Sequence, residues 1–197
     1  VYFILLLAFS FLLKSHVAFS NPLKIEDFVK LPGVRDVQIS PDGKHLSVVY
    51  RKAGEDVLAV LDRESLNVIN GMRVRGKRKM VGDSHWVNNE RLVYSVTENN
   101  NWDKSRIDNG ELVGVNIDGS KHKRIFGNQS GEQQTGSKLK KKRAEYGSQE
   151  IIDLLQGDDE NILIAFYPQR KIGNSWQRNL AAASLIYKLN ILTGKKQ

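Results

Sequence analysis

Val37 to Tyr50 have the sequence VQISPDGKHLSVVY, which predicts two β-strands joined by a tight turn. Pro41 fixes φ near the value required at the second position of a type I turn, and Gly43 suits the left-handed conformation that closes the hairpin. Asp42 can accept a hydrogen bond from the backbone that follows it. Because apolar and β-branched residues flank the turn on both sides, this stretch predicts a β-hairpin.

The same succession of strands and polar turns occurs three times along the chain, in units at about 35–75, 81–126 and 148–197. The predicted strands are Asp36–Ser40, His45–Arg51, Val57–Asp62 and Asn67–Arg73 in the first unit, Ser84–Val87, Arg91–Val96, Glu111–Asn116 and Lys123–Phe126 in the second, and Gln149–Leu155, Asn161–Tyr167 and Ser184–Leu189 in the third. Repeats of four short strands without intervening helices are typical of β-propeller blades. The sequence therefore predicts an all-β protein, an incomplete β-propeller of about three four-stranded antiparallel blades over 35–197.

The third unit ends at Thr193-Gly194-Lys195, where its fourth strand is expected to begin. A propeller closes with roughly 4–8 blades. An open stack of three blades exposes strand edges, which natural proteins avoid. We therefore expect this sequence to be the front part of a longer protein.

Residues 1–20 have the features of a secretory signal peptide. Val1–Leu13 is almost continuously apolar, and Ala18-Phe19-Ser20 supplies small residues at a cleavage site that would leave Asn21 first. One alternative is an uncleaved membrane anchor, but the apolar run is short for it because spanning a bilayer takes about 20 residues. Another alternative is a buried helix, which would have a polar face. Residues 21–34 are interpreted as a lead-in segment that contains a short helical turn and ends at Pro32-Gly33.

The composition excludes several classes of site. Among 197 residues there is no cysteine, so a disulfide framework, a zinc-thiolate site and a cysteine nucleophile are excluded. The formal charge is +8, with 30 Lys and Arg against 22 Asp and Glu, but it is spread over nearly every segment. A nucleic-acid-binding protein would concentrate its basic residues on one face among stacking aromatics. We expect no nucleic-acid partner.

Two segments are locally basic, Arg73–Lys79 and the insertion Gly127–Gly147. Each is open to two interpretations. One is a contact for an acidic partner or a membrane surface, and the other is an ordinary charged surface loop.

Three parts of the sequence carry a family resemblance: PLKIEDFVKLPGVRDVQISPDGKHLSVVY at Pro22–Tyr50, WVNNERLVYSV at Trp86–Val96 and GELVGVNIDGSKHKRIF at Gly110–Phe126. Together they resemble the N-terminal propeller of secreted bacterial peptidases of the prolyl oligopeptidase family. The resemblance implies a propeller that filters access to an α/β-hydrolase domain with a Ser, Asp, His triad. It also implies peptide substrates, a periplasmic or secreted location, and membrane contact only through the signal peptide during export. The hydrolase domain is not in this sequence.

No residue of the sequence is predicted to be catalytic. The nearest match to a G-x-S-x-G nucleophile elbow is Gly82-Asp83-Ser84-His85-Trp86, which lacks the closing glycine. Ser84 and His85 are neighbours on a predicted strand, so their side chains are expected on opposite faces. This segment is interpreted as structural.

No cofactor or metal is expected either. The histidines His45, His85 and His122 occur in separate contexts without the short spacing of zinc ligands. The acidic run Asp158-Asp159-Glu160 lacks the alternating ligands of a calcium loop and is interpreted as a solvated turn.

The aromatic residues divide into two groups. Trp86, Tyr94, Tyr167 and Tyr187 lie on predicted strands and are expected to fill space between blades. Trp102 and Trp176 lie in polar insertions, so they are the candidates for a contact surface.

These observations leave three hypotheses for function. The first is the gating propeller of a periplasmic or secreted serine peptidase, without catalytic residues of its own. The second is a non-catalytic propeller that serves as a protein-interaction module in the cell envelope. The third is a small all-β protein that is complete as given, which the unfinished third unit disfavours.

Overall fold

The computed structural model describes residues 33–76, 78–99, 106–130, 146–173 and 175–197. These residues form an all-β structure of twelve strands arranged in three four-stranded antiparallel sheets. Within these ranges no helix is long and apolar enough to cross a membrane. The predicted signal peptide, 1–20, and the lead-in segment up to residue 32 lie outside the described residues.

Sheet 1 contains the first four strands in chain order. They are β1 (Val34–Ile39), β2 (His45–Lys52), β3 (Glu55–Asp62) and β4 (Val68–Arg73). In the ladder, Val37 pairs with Val48 and Val48 pairs with Ala59, so every strand lies beside the one before it. This is the simple meander that short polar turns between apolar strands produce.

The turn between β1 and β2 has the geometry that the sequence predicts. The Gly43 amide donates to the Ser40 carbonyl at 2.9 Å, and Gly43 has φ of 72°. The Asp42 carboxylate accepts hydrogen bonds from the Lys44 amide at 3.1 Å and the Ser40 hydroxyl at 2.6 Å. The predicted hairpin is confirmed.

Sheet 2 repeats the meander with longer strands. They are β5 (Lys79–Asn88), β6 (Arg91–Asn99), β7 (Arg106–Asn116) and β8 (Lys123–Phe126). The segment Gly82-Asp83-Ser84 lies inside β5 rather than at the start of a strand, and the β5–β6 register shifts there.

Sheet 3 is built around one long strand. It contains β9 (Gly147–Asp153), β10 (Asn161–Ile172), β11 (Ser175–Arg178) and β12 (Leu185–Asn190). Both β9 and β12 pair with the first part of β10, and β11 pairs with its last four residues. Beyond β12, Lys196 forms an antiparallel bridge with Leu189, and Gln197 exchanges two backbone hydrogen bonds of 3.0 Å with Lys188. The fourth strand of the third unit is predicted to begin at this point.

The three sheets form an open stack with sheet 2 in the middle. One apolar core lies between sheets 1 and 2 and includes Leu58, Val60, Leu92 and Tyr94. A second core lies between sheets 2 and 3 and includes Phe126, Ile164 and Leu189. Residues on both faces of β6 are therefore buried, and the first seven residues of this strand are all inaccessible.

Candidate functional site

The structure separates Ser84 from His85. The Ser84 side chain is buried, and its hydroxyl donates to Asp36 Oδ2 at 2.9 Å. His85 instead borders a shallow pocket lined by β9 and the residues that follow it, including Ile151 and Leu155. A carboxylate, rather than an imidazole, is thus the partner of this hydroxyl, and the two neighbours make no nucleophile–base pair.

A buried carboxylate on β3 joins sheet 1 to β5, the first strand of sheet 2. Asp56 is 0% exposed and forms an ion pair with Arg35. The same side chain accepts a hydrogen bond from the Val81 amide of β5 at 2.9 Å and lies 3.5 Å from Arg51 Nη1. Sequence reasoning missed this network, although a charged residue within the apolar strand β3 was the available signal.

At the edge where β4 and β8 are the last strands of their sheets, sheets 1 and 2 enclose a cleft of about 560 Å³. We call it the basic cleft. Its ionisable lining residues are Arg73, Arg75, Lys79, Tyr94, His122, Lys123 and Arg124. Its apolar lining residues are Met72, Val74, Val96 and Val113. The predicted basic segment Arg73–Lys79 therefore contributes to a concave surface together with residues from β8.

Tyr94 and His122 form a hydrogen-bonded pair in the basic cleft. The Tyr94 hydroxyl lies 2.8 Å from His122 Nε2. Burial raises the pKa of Tyr94, which keeps the phenol protonated. Partial burial lowers the pKa of His122, and the charges of Arg124 and Arg91 lower it further. At neutral pH the pair is therefore uncharged, and the phenol can donate to an unprotonated Nε2.

His45 and His85 lie away from the basic cleft. His45 stacks on Trp86 with ring centroids 6.3 Å apart, at the interface of sheets 1 and 2. His85 lies beside sheet 3. Within the described ranges, no three His, Asp or Glu side chains are grouped closely enough to hold a metal ion.

The acidic turn Asp158-Asp159-Glu160 is held by a lysine. Asp158 Oδ2 lies 2.7 Å from Lys188 Nζ, and its Oδ1 accepts from the Asn161 amide group at 2.8 Å. The hydrogen bonds from Lys188 and then Asn161 lower the pKa of Asp158 to about 2. The Asp158 carboxylate therefore binds side chains of sheet 3.

The aromatic residues are distributed largely as expected. Trp86 and Tyr94 belong to the core between sheets 1 and 2, and Tyr187 packs against the core between sheets 2 and 3. Tyr167 is an exception, because it is half-buried and lies under Arg178, whose Cζ is 4.7 Å from the ring centroid.

Trp176 lies on β11 and not in the irregular insertion that the sequence predicts. Its ring stacks on Tyr146 with centroids 4.4 Å apart and an angle of 6° between the planes. Both side chains remain more than 40% exposed. They form a flat aromatic surface, which we call the aromatic pair. Trp102 lies outside the described residues.

Comparison with known proteins gives only distant likenesses, and these are to solved structures. No protein-family model matches the chain, and no curated protein matches it. Among solved structures, a post-proline cleaving enzyme from Rickettsia typhi is similar at 15% sequence identity and a TM-score of 0.38. The similarity covers 82% of this chain but 23% of that one, so this chain spans less than a quarter of that protein's length. At this level the likeness assigns no activity.

Proposed function

We propose that this chain is the N-terminal part of a β-propeller that gates a serine peptidase of the prolyl oligopeptidase family. The observation that carries the proposal is the succession of three four-stranded antiparallel sheets stacked in chain order, of which the first two are simple meanders. A propeller is such a succession, continued until the last blade meets the first. The family assignment rests on the resemblance of Pro22–Tyr50, Trp86–Val96 and Gly110–Phe126.

The contacts between sheets are consistent with blades that converge on an axis. The first strand of sheet 2, β5, contacts β1 and β3, and the first strand of sheet 3, β9, contacts β7. The last strands β4 and β8 instead border the basic cleft. The first strand of each following sheet therefore packs against the sheet before it, as the inner strands of successive blades do.

The proposed role is selection of substrates by size. A ring of blades in front of an enclosed catalytic site would admit short peptides and exclude folded proteins. The chain itself would line the path to the catalytic site without supplying its triad, since Ser84 is bonded to the Asp36 carboxylate and not to an imidazole. In this proposal the protein is exported by means of residues 1–20 and acts in the periplasm or outside the cell.

The first experiment is to sequence the reading frame beyond Gln197. The proposal requires further blades followed by a G-x-S-x-G elbow and later Asp and His residues. The complete protein should then cleave short proline-containing peptides while leaving the same sequence intact inside a folded carrier protein. A stop codon directly after Gln197, or equal cleavage of both substrates, would contradict it. For export, the N-terminal residue of the protein recovered from the periplasm should be Asn21.

The aromatic pair favours a second candidate function, a non-catalytic interaction module in the cell envelope. Exposed, rigid aromatic surfaces are enriched at protein interfaces. Replacing Trp176 and Trp102 by alanine in the complete protein tests this. Unchanged peptide binding in that variant would remove both residues as contact candidates.

A further inference from the structure

The basic cleft has more cations than its acidic neighbours can neutralise. Five Lys and Arg residues line it, although the ammonium group of one of them, Lys123, donates to the Thr193 carbonyl beside sheet 3. Glu111 neutralises Arg124, with 3.1 Å between Oε2 and Nε, and Glu55 lies 4.0 Å from Arg73. Glu98 lies opposite Lys79 in the β5–β6 ladder. Positive charge therefore remains in excess, and no acidic residue is among those that line the described cleft.

Two distant parts of the sequence supply these cations. Arg73, Arg75 and Lys79 come from the end of β4 to the start of β5, while Arg124 comes from β8. Like charges on facing walls repel one another, so bringing them together is unfavourable unless a counter-charge lies between them. The arrangement thus suits an anionic ligand held between two walls.

The rest of the lining is apolar. Met72, Val74, Val96 and Val113 are largely buried, and the small part of each side chain that remains exposed forms the apolar floor of the cleft. A ligand that matches both surfaces carries anionic groups and apolar groups. A free inorganic ion would use only the charged part.

The strand that borders the basic cleft can also accept an extended chain. β4 is the last strand of sheet 1 and, in the described structure, pairs only with β3. Edge strands have backbone groups that can pair with a peptide in the manner of an additional strand. Nucleic acid is a poorer match, since of the two rings that line the cleft Tyr94 is buried in the core and His122 is stacked on Tyr94.

We propose that the basic cleft, between β4 of sheet 1 and β8 of sheet 2, binds an extended acidic peptide segment whose carboxylates alternate with apolar side chains. The occupant is a peptide partner and not a substrate of the proposed peptidase. The site lies at the last-strand edges of the sheets, and its existence does not depend on any catalytic domain.

The test uses the complete protein and a fluorescein-labelled peptide of alternating glutamate and leucine, with binding measured by fluorescence anisotropy at low salt. The same peptide with glutamine in place of glutamate is the ligand control. We expect at least about tenfold tighter binding of the glutamate peptide, because charge-assisted hydrogen bonds are stronger than neutral ones. Equal binding of the two peptides would overturn the proposal without any variant being made.

The variant Arg75→Ser/Lys79→Ser removes two cations from the cleft. The matched control Arg170→Ser/Lys171→Ser removes the same two residue types from the exposed end of β10, with the same change in net charge. Affinity for the glutamate peptide should fall about tenfold in the first variant and less than about twofold in the second. Equal losses of affinity in the two variants would show that binding depends on the net charge of the protein and not on the basic cleft, which would overturn the proposal.

Competition experiments with two other anions test whether the cleft is specific for a peptide. Inorganic phosphate and a short single-stranded oligonucleotide are each added to the complex of protein and glutamate peptide. We expect neither to displace the peptide at concentrations matched in charge. Displacement by the oligonucleotide, with tighter binding of the oligonucleotide itself, would make the cleft a nucleic-acid site and refute the peptide proposal.

Discussion

At residue 56 a carboxylate occupies a position that the alternation of β3 assigns to the core. Its neighbours on the same face, Leu58 and Val60, are buried against sheet 2. Asp56 remains favourable there because Arg35 pairs with it and the Val81 amide donates to it. Burying a charge is costly unless such partners are present. A single side chain therefore couples two sheets.

Replacing Asp56 by alanine should destabilise the protein by about 3–5 kcal/mol, since it breaks the buried ion pair with Arg35 and removes the acceptor of the Val81 amide. The measurement is the free energy of unfolding from urea denaturation. Asp83→Ala, an exposed acidic residue on β5, is the matched control and should change that free energy by less than about 0.5 kcal/mol. Similar losses in both variants would show that Asp56 does not couple the sheets.

The lowered pKa of Asp158 predicts how its contribution to the stability of the fold changes with pH. In the folded chain it is about 2, below the ordinary value of 3.8. The ionised form is thus favoured by folding, so this contribution to stability is present above pH 4 and is lost as the pH falls towards 2. Carbon-detected NMR titration of the Asp158 carboxyl group should show a midpoint near 2. In Lys188→Met the midpoint should rise towards 3.8, whereas Lys195→Met should leave it unchanged.

At the scale of elements, four hairpin turns use the same hydrogen bond despite different sequences. In each, an Asn or Asp side chain accepts from the backbone amide two residues later. The pairs are Asp42 with Lys44, Asn88 with Glu90, Asp118 with Ser120, and Asp158 with Glu160. Only the first has the Pro-Asp-Gly sequence, yet all four were predictable as turns, because the chemistry depends on the side-chain acceptor and not on exact repetition.

Other elements could not be predicted, because their sequences lack apolar alternation. Arg106–Gly110 is polar, but it extends β7 because Thr97 and Glu98 of β6 pair with it. β11 forms in the same way against the end of β10. In both cases a neighbouring strand that is already in place supplies the hydrogen bonds, and this information is absent from the local sequence.

One glycine is required by the close approach of two strands. A Cβ at Gly147 of β9 would lie 2.4 Å from the Tyr167 carbonyl oxygen and 2.5 Å from the Phe166 ring. Gly147→Ala should therefore cost about 1–3 kcal/mol of stability through overpacking. Gly71→Ala on β4 is the control, since its Cβ would meet only Val57 at 3.7 Å. Thermal unfolding that ranks the two variants equally would contradict this account.

At the scale of the whole molecule, the sequence predicts three sheets but not which residues the stacking brings together. Arg75 and Arg124 are 49 positions apart, and they line one cleft because sheet 1 lies against sheet 2. Alternation within each strand determines which side chains share a face. It does not determine which face meets which neighbouring sheet. The fold class was therefore predictable, while the basic cleft was not.

Sheet 1 is apolar on the face that points away from sheet 2 as well. Val49 and Leu58 belong to the core with sheet 2, so the residues that alternate with them, Val48 and Ala59, point the other way. Val37 and Ile39 of β1 lie on that second face, and each is more than half exposed. A sheet that is covered on both faces has this pattern, whereas a terminal sheet has one polar face.

If another blade of the complete protein covers this second face, Ile39→Lys should destabilise it by about 2–3 kcal/mol through loss of buried apolar area. Leu180→Lys, at a turn residue that is 87% exposed, is the control and should stay within about 0.5 kcal/mol. The measurement is the free energy of unfolding of the two variants, obtained from urea denaturation. If both substitutions are neutral, the second face of sheet 1 is solvent surface, and a stack that ends at sheet 1 cannot close into a ring. A loss confined to Ile39→Lys means that another part of the complete protein covers this face.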